Sequence, residues 1–150
     1  MRKNEGFMKN ISKQYIALFV LAFSLVAGVA LPTFASDNNI GFAFTIQSYQ
    51  EESTTGWRYR QTKSTANPWK VGVYTSTEGN GSYYSAHLYG SQNGALASPT
   101  KNAYTGPAYP YVYSGAYSNA SQQNVRMAVF NPTWTPSVFY ITGAWDEETW

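Results

Sequence analysis

Apolar and polar residues alternate with a period of two along much of this chain. Between Ile40 and Tyr49, isoleucine and phenylalanine alternate with small or polar residues, which places Ile40, Phe42, Phe44 and Ile46 on one face. Such alternation predicts a half-buried strand. Comparable patterns predict further strands over residues 57–62, 69–75, 83–89, 109–113, 125–130 and 138–144. Together they favour an all-β fold, a single small antiparallel β-sandwich of about seven short strands.

The dipeptide Asn80-Gly81 stands between two of these alternating runs. Both residues tolerate positive φ, so the pair predicts a type I′ hairpin in which Val73 lies opposite Leu88. This register gives the hairpin a core face made of Trp69, Val71, Val73, Ala86 and Leu88. It gives the hairpin a water-facing side made of Lys70, Tyr74, Tyr83, Ser85, His87 and Tyr89.

The N-terminal region has the pattern of a helical secretory signal peptide. Basic residues precede an apolar run from Tyr15 to Val29, and Pro32 is followed by Thr33-Phe34-Ala35, which places small residues at the cleavage positions. The run is shorter than the roughly 20 residues of a membrane span. We therefore predict a signal peptide over 1–35, cleavage after Ala35, and a secreted, extracellular β-sandwich domain over 36–150. The alternative is an uncleaved N-terminal anchor.

Composition narrows the range of partners. Without residues 1–35 the chain keeps six basic and seven acidic residues, a net charge of −1. A net charge of −1 gives no electrostatic attraction to nucleic acid or to an anionic membrane. We therefore expect contact with a membrane only through the signal peptide, before cleavage. The chain contains no cysteine, so neither disulfides nor thiol chemistry contribute.

Candidate catalytic and metal-binding groups are few. His87 is the single histidine, and Ser85, two residues away on the same strand, is poorly placed to act with it as nucleophile and base. Glu78 and the C-terminal run Asp146-Glu147-Glu148 leave open a carboxylate pair for glycoside hydrolysis or oxygen ligands for Ca²⁺. The alternative for that run is a solvated chain end. We predict no catalytic residue, metal or cofactor.

Aromatic residues give the best indication of function. Tyr109, Tyr111 and Tyr113 alternate on one predicted strand, which Pro110 should confine to a sheet edge. Exposed rings of this kind can stack on sugars or anchor a protein partner. The candidate binding residues are Tyr109, Tyr111, Tyr113, Tyr74, Tyr83 and Tyr89. The alternative is that these rings replace the scarce leucines in the core.

Four stretches of the chain carry a resemblance to a known family. They are SDNNIGF (36–42), RYRQT (58–62), NPWKV (67–71) and GAWDEET (143–149). With them the chain resembles a family of small uncharacterised secreted proteins of Gram-positive bacteria, a domain of unknown function without assigned catalytic residues. The resemblance implies export and a compact domain.

The combined interpretation is a secreted, non-enzymatic binding domain that acts at or outside the cell envelope on cell-wall glycan or a surface protein. Two alternatives remain open. One is a bacteriocin-like antibacterial polypeptide, since the chain is also similar to small cysteine-free bacteriocins of the lactococcin type. The other is a small glycan hydrolase.

Overall fold

Nine strands form two antiparallel sheets in the computed structural model, which describes residues 38–107 and 111–149. The strands are β1 (Ile40–Ile46), β2 (Ser53–Thr54), β3 (Arg58–Arg60), β4 (Trp69–Ser76), β5 (Tyr83–Gly90), β6 (Lys101–Tyr104), β7 (Val112–Ser114), β8 (Gln123–Phe130) and β9 (Phe139–Asp146). A 3-10 helix covers Ser118–Ala120. Within the described ranges, no helix is long and apolar enough to cross a membrane.

The two sheets pack as a small β-sandwich. The four-stranded sheet has the order β1-β9-β4-β7. The five-stranded sheet has the order β2-β8-β5-β6, with β3 also paired to β8. The predicted all-β sandwich is therefore confirmed. The prediction missed β2, which is too short to show alternation, and β6, in which only Ala103 is fully buried.

The alternation in β1 has the predicted structural consequence. Phe42 and Ile46 are buried, and Phe44 is half-buried against the core. In the register with β9, Phe42 lies opposite Gly143 and Phe44 opposite Ile141. Ile40, the first residue of β1, is exposed.

The predicted hairpin at Asn80-Gly81 is wrong. Strand β4 pairs with β7 and β9, whereas β5 pairs with β6 and β8, so the turn crosses from one sheet to the other. Gly81 has the expected positive φ of 84°, but the second positive φ in the turn belongs to Gly79 and not to Asn80. The predicted core residues of both strands are nevertheless buried. They face one another across the core instead of lying side by side in one sheet.

The predicted water-facing side of that hairpin is also wrong in part. Tyr74 and Tyr83 are exposed, but Lys70, Ser85 and His87 are buried. Lys70 and His87 are buried on the outer surfaces of the sheets by neighbouring rings, whereas Ser85 is hydrogen-bonded to Asn102. The Lys70 Nζ lies 5.0 Å from the centre of the Tyr111 ring, and the imidazole of His87 packs edge-on against Tyr89 at 4.8 Å.

Candidate functional site

The segments that follow β3 and β9 meet at one end of the sandwich. The chain beyond β9 runs beside the loop that joins β3 to β4, and Thr149 ties the two together. Its backbone N–H donates to the carbonyl of Pro68 at 2.8 Å, and its hydroxyl donates to the same oxygen at 3.0 Å. The stretches RYRQT, NPWKV and GAWDEET therefore come together in space.

Arg60 is the centre of this end. Its side chain is fully buried, and its guanidinium donates to backbone carbonyls on both segments. Nε donates to Glu147 at 3.2 Å, while Nη2 donates to Ser64 at 3.0 Å and to Asn67 at 2.6 Å. Burial lowers the pKa of Arg60 from its ordinary value, and the negative charges of Glu148 and Glu147 oppose that shift. A buried cation held in this way fixes the loop after β3 against the chain end.

The acidic run at the C-terminus is a structural element and not a solvated chain end. Asp146, Glu147 and Glu148 are all buried. The carboxylate of Glu148 accepts the backbone N–H groups of Gln61 at 3.0 Å and Thr62 at 2.9 Å. Among the described residues, no group of three or more His, Cys, Asp or Glu side chains is placed to hold a metal ion.

Arg58 and Glu147 form the surface layer of the same end. The guanidinium makes a two-pronged pair with the carboxylate, Nε to Oε2 and Nη2 to Oε1, the latter at 2.9 Å. The guanidinium carbon also lies 6.0 Å from the centre of the Trp145 ring. Arg58 is therefore neutralised and held in one orientation beside an aromatic ring.

A cleft of about 390 Å³ opens next to this pair, between strand β1 of one sheet and residues 54–58 of the other. Phe42 and Phe44 line one wall, with their rings stacked 5.1 Å apart. Trp57 lines the other wall and is 45% exposed. Trp145 and Arg58 complete the lining. Four of the lining residues are aromatic, and the volume of the cleft lies in the range of small-ligand sites.

The backbone of β1 forms part of the cleft lining. The carbonyl of Thr45 points away from β9, since it accepts the hydroxyl of Ser53 at 2.9 Å. Alternate residues of an edge strand share this orientation, so Gly41 and Ala43 also direct backbone groups away from β9. Both residues are exposed and line the cleft. Among residues 38–107 and 111–149, no strand pairs with this side of β1, so the cleft presents a strand edge beside Phe42 and Phe44.

Gly143 makes room for the Phe42 ring. A Cβ at this position would lie 2.5 Å from Cζ of Phe42 and 2.1 Å from the carbonyl oxygen of Gly72. Because Gly143 has no side chain, β4 and β9 can approach closely and Phe42 can lie on them at the side of the cleft.

A family model described as "Protein of unknown function (DUF2712)" matches residues 30–149. The chain belongs to the DUF2712 family. The match covers every strand of the sandwich and the whole cleft, and it confirms the resemblance to a domain of unknown function. Among curated proteins, none matches this chain.

Five of the six predicted binding tyrosines of this DUF2712 domain are described, and they do not assemble into one surface. Tyr74, Tyr111 and Tyr113 lie on the outside of the four-stranded sheet, where the hydroxyls of Tyr74 and Tyr111 are 2.6 Å apart. Tyr83 and Tyr89 lie on the outside of the five-stranded sheet. Tyr109 lies outside the described residues. Strand β7, which begins just after Pro110, is at the edge of its sheet, as predicted for this segment.

None of the five described tyrosines lines the cleft of the DUF2712 domain. The rings that do so are Phe42, Phe44, Trp57 and Trp145. The sequence pattern assigned Phe42 and Phe44 to the core, which is correct for one side of each ring. Phe42 and Phe44 also line the cleft because β1 is an edge strand. A pattern of alternating residues carries no information on strand order, so it could not predict this position.

His87 belongs to a separate cluster on the outside of the five-stranded sheet. Its Nε2 lies 3.1 Å from a carboxylate oxygen of Glu52, at an angle outside hydrogen-bond geometry, and its Nδ1 lies 3.3 Å from the hydroxyl of Thr100. Burial lowers the pKa of His87, while Glu52 raises it by a smaller amount. The hydroxyl of Ser85 donates to Asn102 at 2.8 Å and not to the imidazole. The cleft and this histidine are therefore different sites.

Proposed function

We propose that this DUF2712 protein is an exported, non-enzymatic binding domain that acts at or outside the cell envelope. Its ligand is an extended peptide segment of a surface protein, bound in the cleft beside β1. The observation that carries this proposal is the open backbone edge of β1 at Gly41 and Ala43, directly beside the aromatic walls of the cleft.

An open strand edge selects an extended chain. Backbone N–H and C=O groups that point away from the sheet can be satisfied by adding one more strand, which is a common mode of peptide recognition. Residues 40–44 offer a length of about five residues, or roughly 16 Å at the usual rise of a strand. The contact between Ser53 and Thr45 closes the edge at the far end and so sets a limit to the bound segment.

The walls of the cleft select an apolar side chain on that segment. Phe42 and Phe44 offer flat apolar surfaces on one side. Trp57 lies on the other side, and the guanidinium carbon of Arg126 lies 4.7 Å from the centre of its ring. Arg58 adds no free charge, because Glu147 already pairs with its guanidinium through two contacts. The favoured ligand is therefore a strand with an aromatic or aliphatic residue facing Phe42 and Phe44.

Export rests on the sequence pattern of residues 1–35, and the envelope as the place of action follows from export. The non-enzymatic character is supported by the state of the candidate acids. Glu147 and Glu148 are buried and engaged by Arg58 and by backbone N–H groups. Neither carboxylate has the open access that a glycosidase acid or nucleophile requires.

The test is a selection of random peptides displayed on phage against the secreted protein. The amides of Gly41 and Ala43 should shift in the NMR spectrum when a selected peptide is added. Ala43→Pro removes one outward N–H from the edge strand, where proline is tolerated, and should weaken binding of that peptide at least tenfold. Trp57→Ala should weaken it as well, whereas Tyr113→Ala, on the outside of the other face, should leave it within twofold.

The proposal fails if Ala43→Pro and Trp57→Ala bind the selected peptide as the parent does. The two alternative functions give different results. An antibacterial polypeptide would kill or permeabilise related cells, and a glycan hydrolase would release reducing sugar from wall glycans.

A further inference from the structure

Two loops at the other end of the sandwich hold a pair of exposed aromatic rings. Tyr49 lies in the loop between β1 and β2, and Trp134 lies in the loop between β8 and β9. Tyr49 is 51% exposed and Trp134 is 70% exposed. Their ring centres are 5.1 Å apart and the ring planes are inclined by 49°. The rings form an open corner, which we call the Tyr49–Trp134 corner.

Hydrogen bonds between the loops hold the corner in place. The backbone N–H of Tyr49 donates to the carbonyl of Thr135 at 2.9 Å. The side-chain amide of Gln50 donates to the carbonyl of Pro132 at 2.5 Å. Proline at 132 and at 136 fixes φ in the Trp134 loop, which reduces the freedom that binding would otherwise remove.

The backbone at the corner adopts an unusual conformation. Tyr49 has a φ of 57° and Gln50 a φ of 66°, both in the left-handed region. This region is uncommon for residues other than glycine, and its cost is accepted mainly where the surrounding structure or a function demands it. A single exposed ring needs no explanation. Two rings held by strained backbone and cross-loop hydrogen bonds indicate a preformed contact site.

We infer that the Tyr49–Trp134 corner is a second binding site, which takes the flat face of a sugar ring in an uncharged glycan. The C–H face of a pyranose is apolar and packs on an aromatic face, while its hydroxyl groups point outward to polar side chains. Gln50, Thr133 and Ser137 are exposed polar residues next to the two rings and can meet those hydroxyls.

The charges around the corner favour an uncharged glycan over an anionic surface. No charged residue occurs from Asn131 to Trp145, so the Trp134 loop offers no partner for phosphate or carboxylate groups. The nearest charges on the other loop are Glu51 and Glu52, and both are negative and exposed. Tryptophan and tyrosine are also common at membrane interfaces, but binding to an anionic leaflet is driven by basic residues, and these are absent from both loops.

The experiment measures retention of the secreted protein on three washed insoluble, uncharged polysaccharides: chitin, cellulose and a β-1,3-glucan. We expect retention on at least one of them. Trp134→Ala should reduce that retention at least tenfold. Tyr49→Asn should do the same, and it keeps a residue that tolerates positive φ. Tyr113→Ala removes an equally exposed ring elsewhere and should stay within twofold.

A parallel sample with Ala43→Pro separates this site from the cleft, because loss of the peptide site should leave glycan retention within twofold. Circular dichroism and thermal unfolding verify that each variant is folded. The inference is overturned if none of the three polysaccharides retains the protein, or if Trp134→Ala and Tyr49→Asn are retained like the parent. It is also overturned if Trp134 is needed only for binding to vesicles of phosphatidylglycerol.

Discussion

Arg58 and Glu147 form a two-pronged ion pair that joins β3 to the segment after β9 at the end of the cleft. The pair lies over a layer of buried charge, in which Arg60 and Glu148 use backbone groups of the opposite segment as partners. Because Arg60, Glu147 and Glu148 are matched by carbonyls, N–H groups or an opposite charge, residues 146–149 can be buried without a hydrophobic surface of their own. The aromatic cleft is built on this rigid end.

Glu148→Ala should destabilise the fold by about 2–4 kcal/mol, because it leaves the part-buried N–H of Gln61 and the buried N–H of Thr62 without an acceptor. Chemical denaturation of the purified protein measures the change. Glu51→Ala, at an exposed position, is the control and should stay within about 0.5 kcal/mol. Equal stability of both variants would contradict the structural role of Glu148.

Gly143→Ala should cost about 3 kcal/mol or more, because the added methyl group would collide with the carbonyl oxygen of Gly72 at 2.1 Å and with the Phe42 ring. The matched control is Gly56→Ala, where nothing lies within 4 Å of the new Cβ. Unfolding free energies of the two variants provide the comparison. A small effect at Gly143 would mean that β4 and β9 can separate without loss.

Stability should fall as the pH is lowered through about 6.5, in part because of His87. Burial lowers the pKa of this imidazole in the folded state below its ordinary value of 6.5, while Glu52 opposes the shift. The unfolded chain therefore binds a proton more readily than the folded one, so the contribution of neutral His87 is present above pH 6.5 and is lost as the pH falls below it.

The measurement is the change in unfolding free energy between pH 7.5 and pH 5.5 for the parent and for His87→Gln. The variant should lose less stability over this interval, since glutamine does not titrate. Identical pH dependence of the two proteins would show that the burial of His87 has no energetic consequence.

Tyr111→Ser and Tyr113→Ser should differ, although both residues were predicted to bind. Tyr111 is half-buried, contacts the hydroxyl of Tyr74 and lies beside Lys70, so its loss should cost about 2 kcal/mol. Tyr113 is 54% exposed, and its loss should stay within about 0.5 kcal/mol. Denaturation together with binding to purified cell wall distinguishes packing from recognition. Loss of wall binding at unchanged stability in the Tyr111 variant would restore a recognition role for that ring.

The secreted protein should begin at Ser36, because Thr33-Phe34-Ala35 follows Pro32 and presents small residues to a signal peptidase. N-terminal sequencing of material from the culture medium is the measurement. Recovery only in the membrane fraction, with residues 1–35 still attached, would instead favour the uncleaved anchor.

The sequence alone determined which side chains are buried in most of the strands. The alternation of Phe42 and Ile46 in β1 and of Val71 and Val73 in β4 predicted their burial correctly, because side chains of a strand point to alternate faces whatever its partners are. The same local rule predicted the all-β class. The dipeptide Asn80-Gly81 also predicted a positive φ at Gly81 correctly, because that angle is set by the turn itself.

Only the tertiary structure decided which strands are neighbours. The pattern of β4 and β5 is equally compatible with one hairpin and with two strands that face each other across a core, and the structure has the second arrangement. Three features depend on that choice: the edge position of β1, the cleft, and the separation of the five described tyrosines. The burial of Glu147 and Glu148 depends on it as well, because a carboxylate can enter the interior only where the chain brings arginine and free N–H groups to it, and those partners are more than eighty residues away in sequence.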